Sequence, residues 1–181
     1  MLGNVDAFGN LVGTARFMGG REYAAIAGGH EALPTPEAVG QVLQYKSMAL
    51  PSFAPAGQFA RFSGVFLHAR DQNEVARAAL ATVYVALLTD YALDLLDADG
   101  DLIIEGPLAE NPVYPGLMAA LRIRQKVYLG GNQSGTIGGA LKLLDVSSPQ
   151  NERCRLLEAS NYPTLFSYRD EWRRRSLDRT S

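Results

Sequence analysis

The sequence predicts an α/β layered fold, and three observations lead to it. From residue 73 onwards, helical and strand-like segments alternate in the order helix, strand, helix, strand, helix, with short connections. The longest segment, from about Asn73 to Leu96, has apolar residues at helical spacing and alanines on nearly every side, which indicates a central helix. The strand-like segments 102–105 and 126–129 flank one predicted helix at 112–122, so we expect parallel neighbours joined by a right-handed crossover.

Shorter elements are expected before the central helix. Residues 10–18 have the glycine and β-branched content of a strand or hairpin arm. Residues 21–27 have the pattern of a short helix, which Gly28 and Gly29 close. The other predicted elements are a helix at 36–48 with Thr35 as its N-cap, a loop at 49–60, a strand at 61–69 and a helix near 136–144.

Composition excludes several classes of protein. The 181 residues are 47% hydrophobic and 20% charged, as in a folded soluble protein, and a net charge of −2 argues against a nucleic-acid binder. A single cysteine, Cys154, fits a reducing compartment. The N-terminus lacks a signal-peptide pattern, and the longest apolar run, 78–89, is too short to span a bilayer. We therefore expect a cytoplasmic domain with no membrane contact, and the spacing of His30 and His68 predicts no metal site.

The C-terminal part of the sequence differs in composition from the rest. Beyond Asp145 the residues become polar, so we expect a folded domain at 1–145, followed at 146–181 by a polar linker and a basic tail helix. The run WRRR at 172–175 could contact an acidic surface, but a solvated tail helix is the preferred interpretation.

Two glycine-containing segments are candidate ligand sites. In IIEGPLAENP, from Ile103 to Pro112, an apolar strand runs into a glycine turn that opens onto a helix, whose first N–H groups are expected to be unpaired. Backbone at Gly106 can approach a ligand closely because glycine has no side chain. The plainer interpretation is a strand-to-helix connection. In QSGTIGGALKLL, from Gln133 to Leu144, small residues suit either tight helix packing or a ligand.

A third candidate contains two arginines. In RFMGGRE, Arg16 and Arg21 flank Gly19 and Gly20 at the start of a predicted helix, an arrangement suited to an anion or an acidic partner. The alternative is a tight turn whose arginines pair with surface carboxylates, and residue pattern alone leaves both open.

Taken together, these segments resemble the C-terminal half of the FGGY carbohydrate kinases, over roughly residues 1–145. The stretches that carry the resemblance are GNVDAFGNLVGTARFMGGREY, HARDQNEVARAALATVYVALL, DLIIEGPLAENP and LMAALRIRQKVYLGGNQSGTIGGALKLL. In that order, the four stretches are similar to the segment that follows the family's glycine-threonine phosphate motif, to its long central helix, to its adenosine motif and to its closing helix-strand-helix. Ala81-Thr82 departs from the family's usual glutamate-glycine.

The resemblance implies the actin-like ATPase, or ribonuclease-H-like, fold of the nucleotide-side lobe of a two-lobed sugar kinase. It implies that Gly106 and Pro107 lie against the adenine or ribose, and that Asn111 is a candidate polar contact to the nucleoside. The family's double or triple glycine is reduced here to Glu105-Gly106-Pro107. The closing-helix glycines, implied mainly for packing, are Gly135, Gly138 and Gly139.

The same resemblance implies an ATP- and Mg²⁺-dependent phosphotransferase acting on a sugar or polyol hydroxyl. We find no counterpart of the first phosphate loop, the sugar pocket or the catalytic aspartate, which belong to the family's N-terminal half. The resemblance also implies that the first strands and the phosphate motif of this lobe are missing. We therefore expect no turnover from this chain alone, and catalysis only with a companion N-terminal chain. The alternatives are a non-catalytic nucleotide-binding module and an interaction protein that forms a homodimer.

Overall fold

The helix α3 (Glu74–Leu95) is the element around which the other helices pack. The computed structural model describes residues 2–29, 31–69, 73–131 and 154–179. The other helices are α1 (Gly19–Ala27), α2 (Pro36–Gln44), α4 (Tyr114–Leu121) and α5 (Leu165–Leu177), with a 3-10 turn at Pro107–Ala109. The strands are β1 (Leu2–Val5), β2 (Leu11–Thr14), β3 (Met48–Leu50), β4 (Val65–Leu67), β5 (Leu102–Ile104), β6 (Val127–Leu129) and β7 (Arg155–Leu156).

The central position of α3 follows from its sequence. The Asn73 side chain caps its first turn by accepting a hydrogen bond from the Ala76 N–H at 2.9 Å. Alanines along its length let α1, α2 and α4 approach closely. By length and composition α3 could span a membrane, but 72% of its most apolar stretch is buried inside the protein, as in a core helix.

The strands form three small sheets. β1 and β2 are an antiparallel hairpin, and β3 pairs antiparallel with β4. β5 and β6 are parallel with Ile103 opposite Tyr128, which confirms the predicted parallel neighbours, and β7 adds an antiparallel edge to β6. Because β5 and β6 run in the same direction, the turns that follow them lie at one edge of the sheet.

Two predicted boundaries were wrong. The helix expected at 36–48 ends at Gln44, where Lys46 takes a positive φ of 52° and the chain turns. Residues 49 and 50, expected to be loop, form the buried strand β3 together with Met48, because pairing with the distant β4 supplies the hydrogen bonds that local pattern could not indicate. Thr35 does cap α2, since its Oγ1 accepts from the Ala38 N–H at 3.2 Å.

The interpretation of 172–175 as part of a solvated tail helix was also wrong. The helix α5 exists, but one face of it is buried in the same core as α3, and that face consists of Leu165, Tyr168, Trp172 and Ser176. The Trp172 indole N–H donates to the Ala49 carbonyl at 2.8 Å, and the Tyr168 hydroxyl donates to the Ser47 carbonyl. Only the outer arginines, Arg174 and Arg175, match the expectation, because they pair with Glu171 at the surface.

Ion pairs among four charged side chains connect α5 and the end of α4 to α3. Asp90, only 1% exposed, is ion-paired with Arg122 at 3.0 Å and with Arg173, and Asp94 lies 2.6 Å from each of the two guanidinium groups. Burial raises the pKa of Asp90, and the two arginines oppose that shift. Partial burial also tends to raise the pKa of Asp94. The hydrogen bonds that Asp94 accepts from Arg173 and Arg122 outweigh this effect, so the pKa of Asp94 is lowered.

Candidate functional site

The turn after β5 has a backbone that glycine alone adopts readily. Gly106 has φ 76° and ψ −164°, a region almost closed to residues with a side chain. A Cβ built there would meet no atom within 4 Å, so the space beside this backbone is open. Pro107 begins the 3-10 turn, and the Ala109 N–H donates to the Gly106 carbonyl at 2.9 Å. Glu105, Gly106 and Pro107 are all exposed.

A second glycine turn meets the first at the same sheet edge. β6 ends at Leu129 and runs into Gly130 and Gly131. The Gly130 N–H donates to the Ile104 carbonyl at 2.9 Å, which joins the two turns directly. A Cβ on Gly130 would stand 2.7 Å from Cγ of Glu105, so the Glu105 side chain lies against the bare backbone of the second turn. Ligands of open α/β sheets usually bind at the carboxyl end of parallel strands, and the two turns lie at that end of β5 and β6.

Asn111 lies at the far end of the first turn and is already engaged. Its Oδ1 accepts from the N–H groups of Val113 and Tyr114 at 3.0 and 2.9 Å. Its Nδ2 donates to Oγ1 of Thr82, in α3, at 3.1 Å. The expectation that the first N–H groups of this helix are unpaired was therefore wrong, because Asn111 caps them. One amide hydrogen of Asn111 remains for a further partner.

The arginine and glycine segment forms the start of α1. Gly19 and Gly20 are its first two residues, and Met18 provides no side-chain cap. The Arg21 guanidinium donates to Sδ of Met18 at 3.7 Å, while Arg16 lines an open groove of about 400 Å³. Within the described parts of the chain, neither arginine pairs with a carboxylate, so the surface ion pairs considered above are not seen there. A role for this segment in holding an anion or a partner stays a prediction.

Sequence reasoning missed the buried carboxylate of Glu22. This residue is 1% exposed and accepts hydrogen bonds from the Ser52 hydroxyl at 2.8 Å, the Phe53 N–H at 2.7 Å and the Tyr84 hydroxyl at 2.7 Å. Burial, together with Glu22, raises the pKa of Tyr84 far above its ordinary value, so that hydroxyl stays protonated. Glu22 thus ties α1 to the loop after β3 and to α3.

Other expectations fall outside what the structure covers. The closing-helix glycines Gly135, Gly138 and Gly139 lie outside the described residues. Among the described residues, no group of three histidine, cysteine or acidic side chains could hold a metal ion.

The chain is similar to known proteins of one kind. The family model described as "Carbohydrate kinase FGGY, C-terminal domain" matches residues 1–153. A carbohydrate kinase from Novosphingobium aromaticivorans is 31% identical with a TM-score of 0.81, and the match covers 97% of this chain and 39% of that one. A xylulose kinase from Rhodospirillum rubrum is 18% identical with a TM-score of 0.55, over 86% of this chain and 32% of its own, and shows the fold alone. No curated protein matches.

These matches confirm the predicted fold class. The described residues have the α/β arrangement of the actin-like ATPase, or ribonuclease-H-like, domain found in the C-terminal half of such kinases. The chain spans about two fifths or less of the two solved structures. The predicted domain boundary at 145/146 is not tested by these matches and stays a prediction.

Proposed function

Since the chain belongs to the FGGY family of carbohydrate kinases as a C-terminal domain, we propose that it is the nucleotide-binding half of an ATP-dependent kinase. The complete enzyme would transfer a phosphoryl group from ATP to a sugar or polyol hydroxyl. The observation that carries this proposal is the meeting of the turns at Gly106 and Gly130 at the carboxyl edge of β5 and β6. The family resemblance of the first turn to an adenosine motif supports the same assignment.

The residues of the first turn suit a nucleoside. The bare backbone at Gly106 lets a flat base or ribose approach the chain without meeting a side chain. The ring of Pro107 adds exposed apolar surface, and the Glu105 carboxylate can accept hydrogen bonds from ribose hydroxyls. The remaining amide hydrogen of Asn111 is available to a base or ribose acceptor. Arg16 and Arg21, with the open helix start at Gly19 and Gly20, would serve an anionic group or a partner surface.

Phosphoryl transfer depends mainly on positioning and on stabilising charge. In our proposal this chain holds the nucleoside end of ATP, and Mg²⁺, when bound in the complete enzyme, would supply positive charge for the phosphates. The base that accepts the sugar proton would come from a companion N-terminal half, because the chain spans only 39% of its solved relative. We therefore propose that the chain is inactive alone, and that the complete enzyme is cytoplasmic.

Nucleotide binding is expected to raise the melting temperature. ADP or ATP at one hundred times its Kd should add about 2.7 kcal/mol of stability, which is a shift of several degrees for a domain of this size. In Gly106→Ala the affinity for nucleotide should fall at least tenfold, and the shift in melting temperature should shrink or disappear. The added methyl group enters the open space beside the turn, and the backbone at positive φ is strained. Titration of each nucleotide with and without Mg²⁺, followed by thermal unfolding, measures this.

Gly29→Ala is the matched control for that titration. Gly29 has φ 74°, close to the 76° of Gly106, and a Cβ on it also meets no atom within 4 Å. Both substitutions place a side chain at positive φ, but Gly29→Ala should leave the nucleotide shift intact. Equal shifts in both variants would remove Gly106 from the site, and no shift in the unmodified protein would contradict nucleotide binding itself.

A second candidate function, a protein-interaction module, is favoured by the β1–β2 hairpin. Its exposed apolar side chains are Leu2, Val5, Phe8, Leu11 and Val12, with Phe8 82% and Leu11 84% exposed. The hairpin register places Val5 and Leu11 on one face, and Leu2 and Val12 on the other. Exposed apolar surface marks association sites, and an isolated hairpin is marginally stable in water. The partner would be a companion N-terminal kinase chain or a second copy of this chain.

Sedimentation separates these two partners. If the hairpin joins two copies, the chain should be dimeric at micromolar concentration and Leu11→Ser should make it monomeric. A chain that stays monomeric at high concentration would exclude the homodimer, and the companion chain would then be the partner to seek. The exposed Leu177, in α5, is the control: Leu177→Ser should leave the association state unchanged.

A further inference from the structure

Thr82 is a buried hydroxyl in the middle of an otherwise apolar stretch of α3. Its side chain is 0% exposed, and its Oγ1 donates to the Ala78 carbonyl one turn earlier at 2.8 Å. This donation leaves the oxygen lone pairs free to accept, and one accepts from Nδ2 of Asn111 at 3.1 Å. Thr82 is thus the point at which the central helix holds the Asn111 side chain.

The Asn111 side chain is fixed by three hydrogen bonds in different directions. Its oxygen caps the start of α4, and its nitrogen reaches Thr82. The amide cannot rotate towards another partner without breaking the cap or the bond to Thr82. Loss of the Thr82 hydroxyl would leave an amide donor of a partly buried side chain without its partner, which is costly.

The Gly106 turn depends on its two ends for its position. At one end β5 is held by the Gly130 N–H bond to Ile104. At the other end the Asn111 N–H donates to the Leu108 carbonyl at 3.3 Å, so the 3-10 turn continues directly into Asn111. Gly106 has no neighbouring atom within 4 Å of its Cβ position. The turn is therefore held by β5 on one side and by Asn111 with Thr82 on the other.

We propose that Thr82 is a positioning residue for the nucleoside turn. It contacts no ligand; it holds Asn111, and through Asn111 it fixes the Glu105-Gly106-Pro107 backbone in the conformation that binds. The proposal rests on the proposed function only for the identity of the ligand. The role of Thr82 in holding the turn in one conformation does not depend on that ligand.

The test compares two threonines of α3. Thr89 is a chemical match for Thr82, because its Oγ1 also bonds the carbonyl one turn earlier, at 2.9 Å, and also bonds the hydroxyl of Tyr114, the first residue of α4, at 2.9 Å. Thr89 lines a cavity of about 210 Å³ together with Glu105 but does not bond Asn111, so the comparison isolates the bond to Asn111 from mere proximity to the turn. Thr82→Val should weaken ADP binding about five- to tenfold, the equivalent of losing one buried hydrogen bond. Thr89→Val should change the affinity less than about twofold, and Thr82→Ser, which keeps the hydroxyl, should restore binding.

Amide hydrogen exchange supplies a readout that needs no nucleotide. In Thr82→Val, amides at 106–111 should exchange faster than in the unmodified protein, and in Thr89→Val they should not. Thr82→Ala serves if the valine variant does not fold. If the unmodified protein binds no ADP, the proposed function fails while the exchange rates still decide the role of Thr82. Equal effects of the two valine variants on exchange, or none from Thr82→Val, would overturn the inference.

Discussion

Replacement of Trp172 by alanine should lower the free energy of unfolding by about 3–5 kcal/mol, the usual cost of removing a buried aromatic side chain. Trp172 is 1% exposed, and its ring packs edge-on against Tyr84 and Phe59 with centroids 6.2 and 6.1 Å away. The substitution leaves a cavity between α3 and α5 and also leaves the Ala49 carbonyl without its donor. A loss of this size is a large part of the stability of an ordinary domain.

Urea unfolding measures that loss. The midpoint should fall substantially while the dependence on urea concentration stays the same, since the surface exposed on unfolding hardly changes. Leu177→Ala is the control on the same helix, because Leu177 is 51% exposed and should cost little. A Trp172→Ala protein as stable as the control would mean that α5 does not pack on the core in solution.

Replacement of Glu22 by alanine should cost about 3–5 kcal/mol for a different reason. The substitution removes the acceptor of the buried Tyr84 hydroxyl and of the part-buried Phe53 N–H, and it leaves the Ser52 hydroxyl with the Ala54 carbonyl as its acceptor. An apolar side chain of any size has this effect, so Glu22→Leu should be damaging as well. The loss comes from unpaired polar groups more than from the lost volume.

Glu22→Gln distinguishes hydrogen bonding from charge. The glutamine oxygen can accept from the Phe53 N–H and the Tyr84 hydroxyl, and its amide nitrogen can donate to the Ser52 oxygen. Ser52 can then direct its own hydrogen to the Ala54 carbonyl, which it already contacts. We expect this variant to lose no more than about 1 kcal/mol by thermal or urea unfolding. A glutamine variant as unstable as the alanine variant would show that the negative charge itself is needed.

The elements that the sequence predicted well are those with local signals. The helix α3 has its cap, its apolar spacing and its terminating DADG within one continuous segment, and the boundaries fall within one residue of expectation. The strands β5 and β6 are separated by a single helix, and a helical crossover of this kind usually joins parallel strands. Their parallel pairing could therefore be predicted from the order of elements. Gly28 ends α1 in the left-handed conformation that the glycine pair predicts.

The parts that could not be predicted depend on residues far apart in the chain. Burial of Glu22 requires Ser52 and Tyr84, which lie 30 and 62 residues away. For α5, a signal did exist, since positions 165, 168, 172 and 176 follow helical spacing, but the arginines between them dominated the interpretation. At the site, the glycine turn was visible in the sequence, whereas the hydrogen bond from Asn111 to Thr82 spans 29 residues and was not.

The burial of α5 has a consequence for how the protein is made. A ribosome adds residues in order, so α1, α2 and α3 are complete before Trp172 is synthesised. Until then Tyr84, Phe59 and the Ala49 carbonyl lack the side chain that covers them, and an apolar surface stays open on the nascent chain. Surfaces of this kind attract chaperones and other unfinished chains. The step that closes the core therefore waits until synthesis has passed α3 by about 80 residues, and slow synthesis near residue 165 should prolong the period of risk.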